Sequence, residues 1–243
     1  MRLIISVFLV LLFVSGCALF TGTKHSVSST SKLPRPDKFS GYYDVSGRMF
    51  FKHPDGKHNG ELLMQISSDS EMKLKIFAPI IGSLIYELRV IPEKLLILNY
   101  QDKNFVLKEN SWEVRKVWLG MDLSLQELRW LIVGSIPEKT DSWKRKKLIT
   151  GEWQLTKKNT EIRVSYNSKG YIELMNKYRD GLAEYKAKIS QYQKKKGIIF
   201  PKKIQIEDYI GNNQWMIYVK ELNAVSGRMK KLKFDPPNDM ESL

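Results

Sequence analysis

From Tyr42 to Leu222 apolar and polar residues alternate with period two, and the alternating stretches are separated by only a few residues. YYDVSGRMFFKH, GELLMQISS, EMKLKIF, LIYELRVI, KLLILNY and KNFVLKE come first, punctuated by HPDGKHN, SSDS, APIIGS, IPE and QD. Period two sends successive side chains to opposite faces of a strand. Connections this short join only antiparallel neighbours, so the sequence predicts a meander.

The period changes after Lys108. Asn110 or Ser111 can cap SWEVRKVWLG as a short helix. Ser124, with Glu127 three residues on, forms a capping box opening LQELRWLIVG, with Leu125, Leu128, Leu131 and Ile132 along one face. Gly134 supplies the C-terminal cap and Pro137 prevents continuation. Period two then resumes in GEWQLTKK, EIRVSYN, GYIELMNKY, EYKAKISQYQ, KKIQIEDY and QWMIYVKEL. No repeat and no domain boundary stands out. A long antiparallel meander hides its edges by curling. The predicted fold is mainly β, a single antiparallel barrel or half-barrel of about eleven or twelve strands. The amphipathic helix inserted midway needs an apolar partner, which the concave inner face of the curved sheet supplies.

The chain begins MRLIISVFLVLLFVSGC. Arg2, the apolar run Leu3 to Val14, and the small residues Ser15 and Gly16 make a secretory signal. The apolar run is short for a spanning helix, which needs roughly 20 residues. Its ending, V-S-G-C, resembles the lipobox of bacterial lipoproteins. That resemblance implies cleavage after Gly16 and acylation of Cys17, the one cysteine of the chain. No intrachain disulfide is then available. Ala18 follows the cysteine where aspartate would retain a lipoprotein in the inner membrane, which favours the outer membrane. The predicted organisation is a signal peptide over 1–16, a lipidated Ser/Thr/Pro-rich flexible tether over 17–40, the folded body over 41–225, and a loose basic tail over 226–243. Two acyl chains already hold a protein on a membrane and three hold it firmly.

The formal net charge is +14, or +13 without Arg2. Cations cluster at Lys144 to Lys147, Lys194 to Lys196 and Arg228 to Lys233. Nucleic acid is not the partner of an exported lipoprotein, which leaves anionic lipid headgroups or plain solvation for these clusters. Catalytic chemistry is not evident. The three histidines are His25, His53 and His58, and HPDGKH reads as a solvated turn rather than a metal site. Neither Ser135 nor Ser165 sits in a nucleophile elbow, and there is no glycine-rich phosphate loop. The sequence points to a monomer that is not an enzyme and uses neither metal nor cofactor. By strand parity Phe50, Met64, Leu74 and Leu96, with Leu128 and Leu131 from the helix, are candidates to line an acyl cavity. Methionine would let such a cavity adapt. A fully packed core is the alternative from periodicity alone.

Several motifs follow one another in a familiar order: the lipobox, the tether and Gly47-Arg48. Then come Pro79-Ile80-Ile81-Gly82-Ser83, LSLQELR from Leu123, Gly134-Ser135-Ile136-Pro137 and Phe200-Pro201 before KKIQIED. This order resembles the LolB family of outer-membrane lipoproteins from about Ser46 to about Leu222. The resemblance implies an open half-barrel with a helical lid over an apolar cavity. It also implies transfer of acylated lipoproteins from the soluble periplasmic carrier LolA into the outer membrane, without cofactor or covalent change. In that family the turn after the third strand protrudes and carries an exposed leucine that engages the membrane. Here Ile80 and Ile81 fill that space between Pro79 and Gly82, one residue more than the family pattern. A lipoprotein of the same fold that binds another amphiphile, or serves as an assembly scaffold, is the alternative.

Cys17→Ser should abolish acylation and signal cleavage. Mass spectrometry of the mature protein tests this, and an unmodified Cys17 would contradict it.

Overall fold

The computed structural model describes residues 33–243, apart from 54–55, 69, 138–141 and 210–211, and these belong to a compact unit running from Ser31 to Leu243. The signal peptide, Cys17, and the turn residues Pro54 and Asp55 lie outside the described residues.

The first meander gives β1 (Tyr42–His53), β2 (Gly56–Ser67), β3 (Met72–Phe77), β4 (Leu84–Val90), β5 (Lys94–Asn99) and β6 (Asn104–Glu109). Two helices follow, α1 (Trp112–Leu119) and α2 (Leu125–Val133). The second meander comprises β7 (Lys144–Lys147), β8 (Trp153–Lys157), β9 (Thr160–Tyr166), β10 (Ile172–Arg179), β11 (Leu182–Lys195), β12 (Ile198–Asp208) and β13 (Gln214–Val225), and β14 (Glu241–Ser242) closes the chain. All form one 14-stranded sheet in the order β14-β6-β5-β4-β3-β2-β1-β13-β12-β11-β10-β9-β8-β7. The first and last long strands, β1 and β13, therefore join the two meanders, and the sheet stays open between β7 and β14.

The strand number exceeds the predicted eleven or twelve for a physical reason. β7 is Lys-Arg-Lys-Lys, which shows no alternation, and such charge on an edge strand discourages pairing with another chain. β14 is only two residues long and pairs in parallel with Asn104 and Phe105 of β6. At the β1–β13 seam the register shifts between Ser46 and Gly47, and a Cβ on Gly47 would lie 2.0 Å from the Tyr218 carbonyl oxygen. Only glycine permits that approach.

One face of the sheet carries the core. Leu62, Met64, Ile66, Ile204, Ile206, Ile217 and Val219 are buried there against Leu128, Leu131 and Ile132 of α2. α2 begins as predicted. Ser124 Oγ accepts from the Glu127 amide at 3.2 Å, and the Ser124 amide donates to Glu127 Oε2 at 2.9 Å. Gly134 takes the left-handed conformation at its end. Where the sequence suggests one apolar face, nearly the whole helix is buried, Glu127 and Arg129 included.

Those buried charges are paired. Arg129 reaches Asp37 at 3.0 Å and the Phe39 carbonyl at 2.9 Å, and its guanidinium lies 4.8 Å from the centre of the Tyr43 ring. Residues 33–39, assigned to the tether by composition, are thereby fastened to the body, with Leu33 buried. On the other side of α2, Lys177 of β10 donates to Asp122 Oδ2 at 2.7 Å, to the Asp122 carbonyl at 2.7 Å and to Glu127 Oε2 at 3.1 Å. Asp122 also receives Arg115 of α1 at 2.7 Å, and Arg179 of β10. Lys116 of α1 meets Glu184 of β11 at 3.1 Å. The helices are thus bound electrostatically to β10 and β11.

Burial would raise the Asp122 carboxyl, but Lys177 and then Arg115 outweigh it and hold the pKa at about 2, against an ordinary 3.8. A depressed carboxylate stabilises the fold above its unfolded pKa and loses that contribution as pH falls through the folded one. Wild-type stability should therefore drop between about pH 4 and pH 2. Asp122→Asn should lose roughly 3–5 kcal/mol at pH 7, because Lys177 and Arg179 lose a buried counter-ion. Its stability should vary less with pH over the acid interval. Urea unfolding at a series of pH values checks both, and equal acid slopes would contradict the assignment.

Candidate functional site

Between the inner face of β3–β5, the centre of the sheet and the helical segment lies a cavity of about 480 Å³. That size falls within the range of small-molecule sites. Met72, Leu74 and Ile76 of β3, Leu88 and Val90 of β4, and Leu95 and Ile97 of β5 form one wall. Met49 and Phe51 of β1 and Trp215 of β13 form the floor, and Leu119, Leu123, Leu125 and Leu128 close it from the helices. Register explains the wall: Leu74 opposes Leu88, which opposes Ile97, so these side chains share a face. Phe51 opposes Trp215, and their rings meet edge to face at 5.9 Å.

The lining is mostly apolar; its polar residues are Lys57, His58, Asn59, Tyr86, Glu87, Gln101 and Arg115, of which Glu87 is engaged by Arg89 at 2.6 Å. His58 stacks on Phe51 at 6.4 Å between ring centres. Arg115 touches the cavity, yet Asp122 and the Asn110 side chain engage its guanidinium. The lining therefore offers contact area and few directional partners, which suits alkyl chains. Among the described residues no group of three His, Cys, Asp or Glu is placed to hold a metal ion.

Of the six residues proposed from parity, Leu74 and Leu128 line the cavity. Met64 and Leu131 point inward but are packed in the core, with no place in the lining. Phe50 and Leu96 lie on the opposite face. Phe50 is 42 % exposed and contacts Tyr218 at 6.0 Å, while its neighbours Met49 and Phe51 face inward. Leu96 opposes Arg89, and its neighbours Leu95 and Ile97 take the cavity side. Phe51, Trp215, His58 and Arg115 were missed. The Met49–Phe51 alternation was the available signal for the first of them. Nothing local in the sequence marks the others.

The Pro79–Gly82 turn protrudes. The Ala78 amide donates to the Ser83 carbonyl at 2.8 Å, the Gly82 amide donates to the Ala78 carbonyl at 3.0 Å, and Gly82 takes a φ of 67°. A Cβ added at Gly82 would meet nothing within 4 Å. Ile80 is 97 % exposed and Ile81 83 % exposed, so both side chains stand in solvent and neither belongs to the core. No described helix is long and apolar enough to cross a membrane.

Solved structures of low sequence identity share the fold. A LolA superfamily protein from Nitrosomonas europaea superposes with a TM-score of 0.54 at 12% identity, over 78% of this chain and 89% of that one. A DUF1329 family protein from Desulfovibrio piger gives 0.53 at 10% identity, over 77% and 87%. No curated protein sequence matches the chain. The sequence model described as "Outer membrane lipoprotein LolB" matches residues 42–221, from the first strand through nearly all of the last long one. A match over that much of the chain makes the protein a member of the LolB family of outer membrane lipoproteins.

Proposed function

We propose that this protein accepts acylated lipoproteins from a LolA-like periplasmic carrier. It inserts them, without covalent change, into the outer membrane, to whose periplasmic face the lipid on Cys17 holds it. The observation that carries this reading is the apolar cavity beneath the two helices, which act as its lid. Each methylene moved from water into such a site gains about 0.8 kcal/mol. Moving on into a bilayer exchanges one apolar surrounding for another, so release needs a path that avoids water rather than a chemical step. In this mechanism Pro79 and Gly82 present Ile80 and Ile81 as that point of contact with lipid. Burying one isoleucine contributes about 1.5–3 kcal/mol, enough to orient a protein that its own lipid already anchors.

The test is transfer of a labelled lipoprotein from loaded carrier, with and without membranes. Ile80→Glu with Ile81→Glu should leave stability within about 0.5 kcal/mol, because both side chains are exposed. Uptake from the carrier should persist and delivery should fail, since a charge entering hydrocarbon costs several kcal/mol. Normal delivery by the double variant would remove the turn from the mechanism.

A second pair separates cavity from core. Leu74→Trp places bulk in empty space and should cut binding of a fatty-acyl probe at least tenfold with a small stability change. Met64→Trp overpacks a filled core and should cost about 1–3 kcal/mol. Unchanged probe binding by Leu74→Trp would show that cargo does not use this cavity.

A further inference from the structure

Residues 226–243 follow the family match and cross the face of the sheet opposite the cavity. The Arg89 guanidinium of β4 donates to the Lys233 carbonyl at 2.7 Å. The Glu241 amide donates to the Lys103 carbonyl and the Leu243 amide to the Phe105 carbonyl, both at 2.9 Å. The side chains sort as in a half-buried strand: Met229 is buried and Leu232 and Phe234 half-buried, while Arg228, Lys230, Lys231 and Lys233 are exposed. Leu96 and Leu98, opposite Arg89 and Glu87 in register, point to this same face and are nonetheless fully buried. The segment read from composition as loose is an apolar-backed strap carrying cations on its outer side.

Charge along the strap is segregated. Arg228, Lys230, Lys231 and Lys233 precede Asp235, Asp239 and Glu241. Among the described residues no carboxylate pairs with the four cations. Glu87 of β4, a buried acid, is engaged by Arg89 at 2.6 Å and Lys73 at 3.4 Å. The basic half also has a defined place. Gly227, Arg228, Met229 and Lys231 border a niche with Ser40, Gly41, Ser67, Ser68 and Glu71. That is the end of the sheet where the chain arrives at β1 from its amino-terminal side. The Ile80–Ile81 turn follows the far end of β3.

We propose that the exposed stripe of Arg228, Lys230, Lys231 and Lys233 is a docking surface for the anionic headgroups of a bilayer. Cations near such a surface are attracted within a Debye length. Pinning the strap through Met229, Leu232 and Phe234 lowers the ordering cost of binding. The stripe lies at the end of the sheet where Ser40 and Gly41 lead into β1. This step rests on the lipid-anchor reading. Docking here is distinct from contact through Ile80 and Ile81, which belong to the other end of the sheet.

The full lipidated chain, held in vesicles of phosphatidylcholine alone or with added phosphatidylglycerol, tests the proposal. An amine-reactive, membrane-impermeant reagent followed by mass spectrometry reads each lysine. Lys230, Lys231 and Lys233 should react about fivefold more slowly on the anionic vesicles, the factor that one headgroup contact corresponds to. Lys158, in the β8–β9 turn, should not change. The protection should vanish near 1 M salt, where the Debye length is about 3 Å. Ile80→Glu with Ile81→Glu should leave it intact. Equal reaction on both vesicles, or equal protection on both, would overturn the proposal. A chain that neutral vesicles fail to retain would refute the anchor; retention on anionic vesicles alone would then support the stripe, and retention on neither would refute both.

Discussion

The carboxylate of Asp122 holds the helical segment in place. It sits in the link between α1 and α2, fully buried, and gathers Arg115 from α1 with Lys177 and Arg179 from β10. Glu127 shares Lys177 and at the same time caps α2. A buried charge of this kind is costly unless every partner is present, so the cluster fixes one arrangement rather than several. Its partners from the sheet, Lys177 and Arg179, both belong to the second meander. The helices are therefore drawn toward β10 and β11, and the inner face of β3–β5 is left without a close-packed cover. The cavity is the consequence: its apolar wall belongs to the first meander, and its closing side chains come from helices tethered to the second.

The same division explains why the site is chemically plain. Two of the ionisable groups that border it are engaged by other side chains, Glu87 by Arg89 and Arg115 by Asp122. Arg115 illustrates this, since it borders the cavity while Asp122 and Asn110 take its donors. The space that remains is lined by aliphatic, methionine and aromatic side chains, suited to a flexible alkyl guest whose shape varies. The exposed isoleucines lie at the far end of β3, a strand that itself contributes Met72, Leu74 and Ile76 to the cavity wall. One strand thus connects the proposed binding surface to the proposed point of release.

Much of this was legible in the sequence because local rules fixed it. Alternation marked the long strands, and the Ser124–Glu127 box with Gly134 marked α2. Parity failed where both neighbours are apolar. In Phe50-Phe51 and in Leu95-Leu96-Ile97-Leu98 periodicity cannot say which set faces in, and the outcome depends on register with β13 and β4. Composition failed where one long-range contact decides. Asp37 lies in a Ser/Thr/Pro-rich stretch, yet it is the counter-ion of buried Arg129. Lys177 reads as the polar end of a strand and proves to be one of the most deeply buried side chains. The strap was hidden because its cations dominate its composition while Met229, Leu232 and Phe234 determine how it lies.

The central claim is that the cavity under the helices, and no other surface, receives the acyl chains of cargo. A photoreactive amino acid at position 74, in the wall, and at position 96, on the opposite face, would test it during transfer of a lipoprotein bearing labelled acyl chains. The account predicts a cross-link to the chains from position 74 that fades as cargo reaches the membrane, and none from position 96. Equal cross-linking from both positions, or cross-linking from position 96 alone, would contradict it.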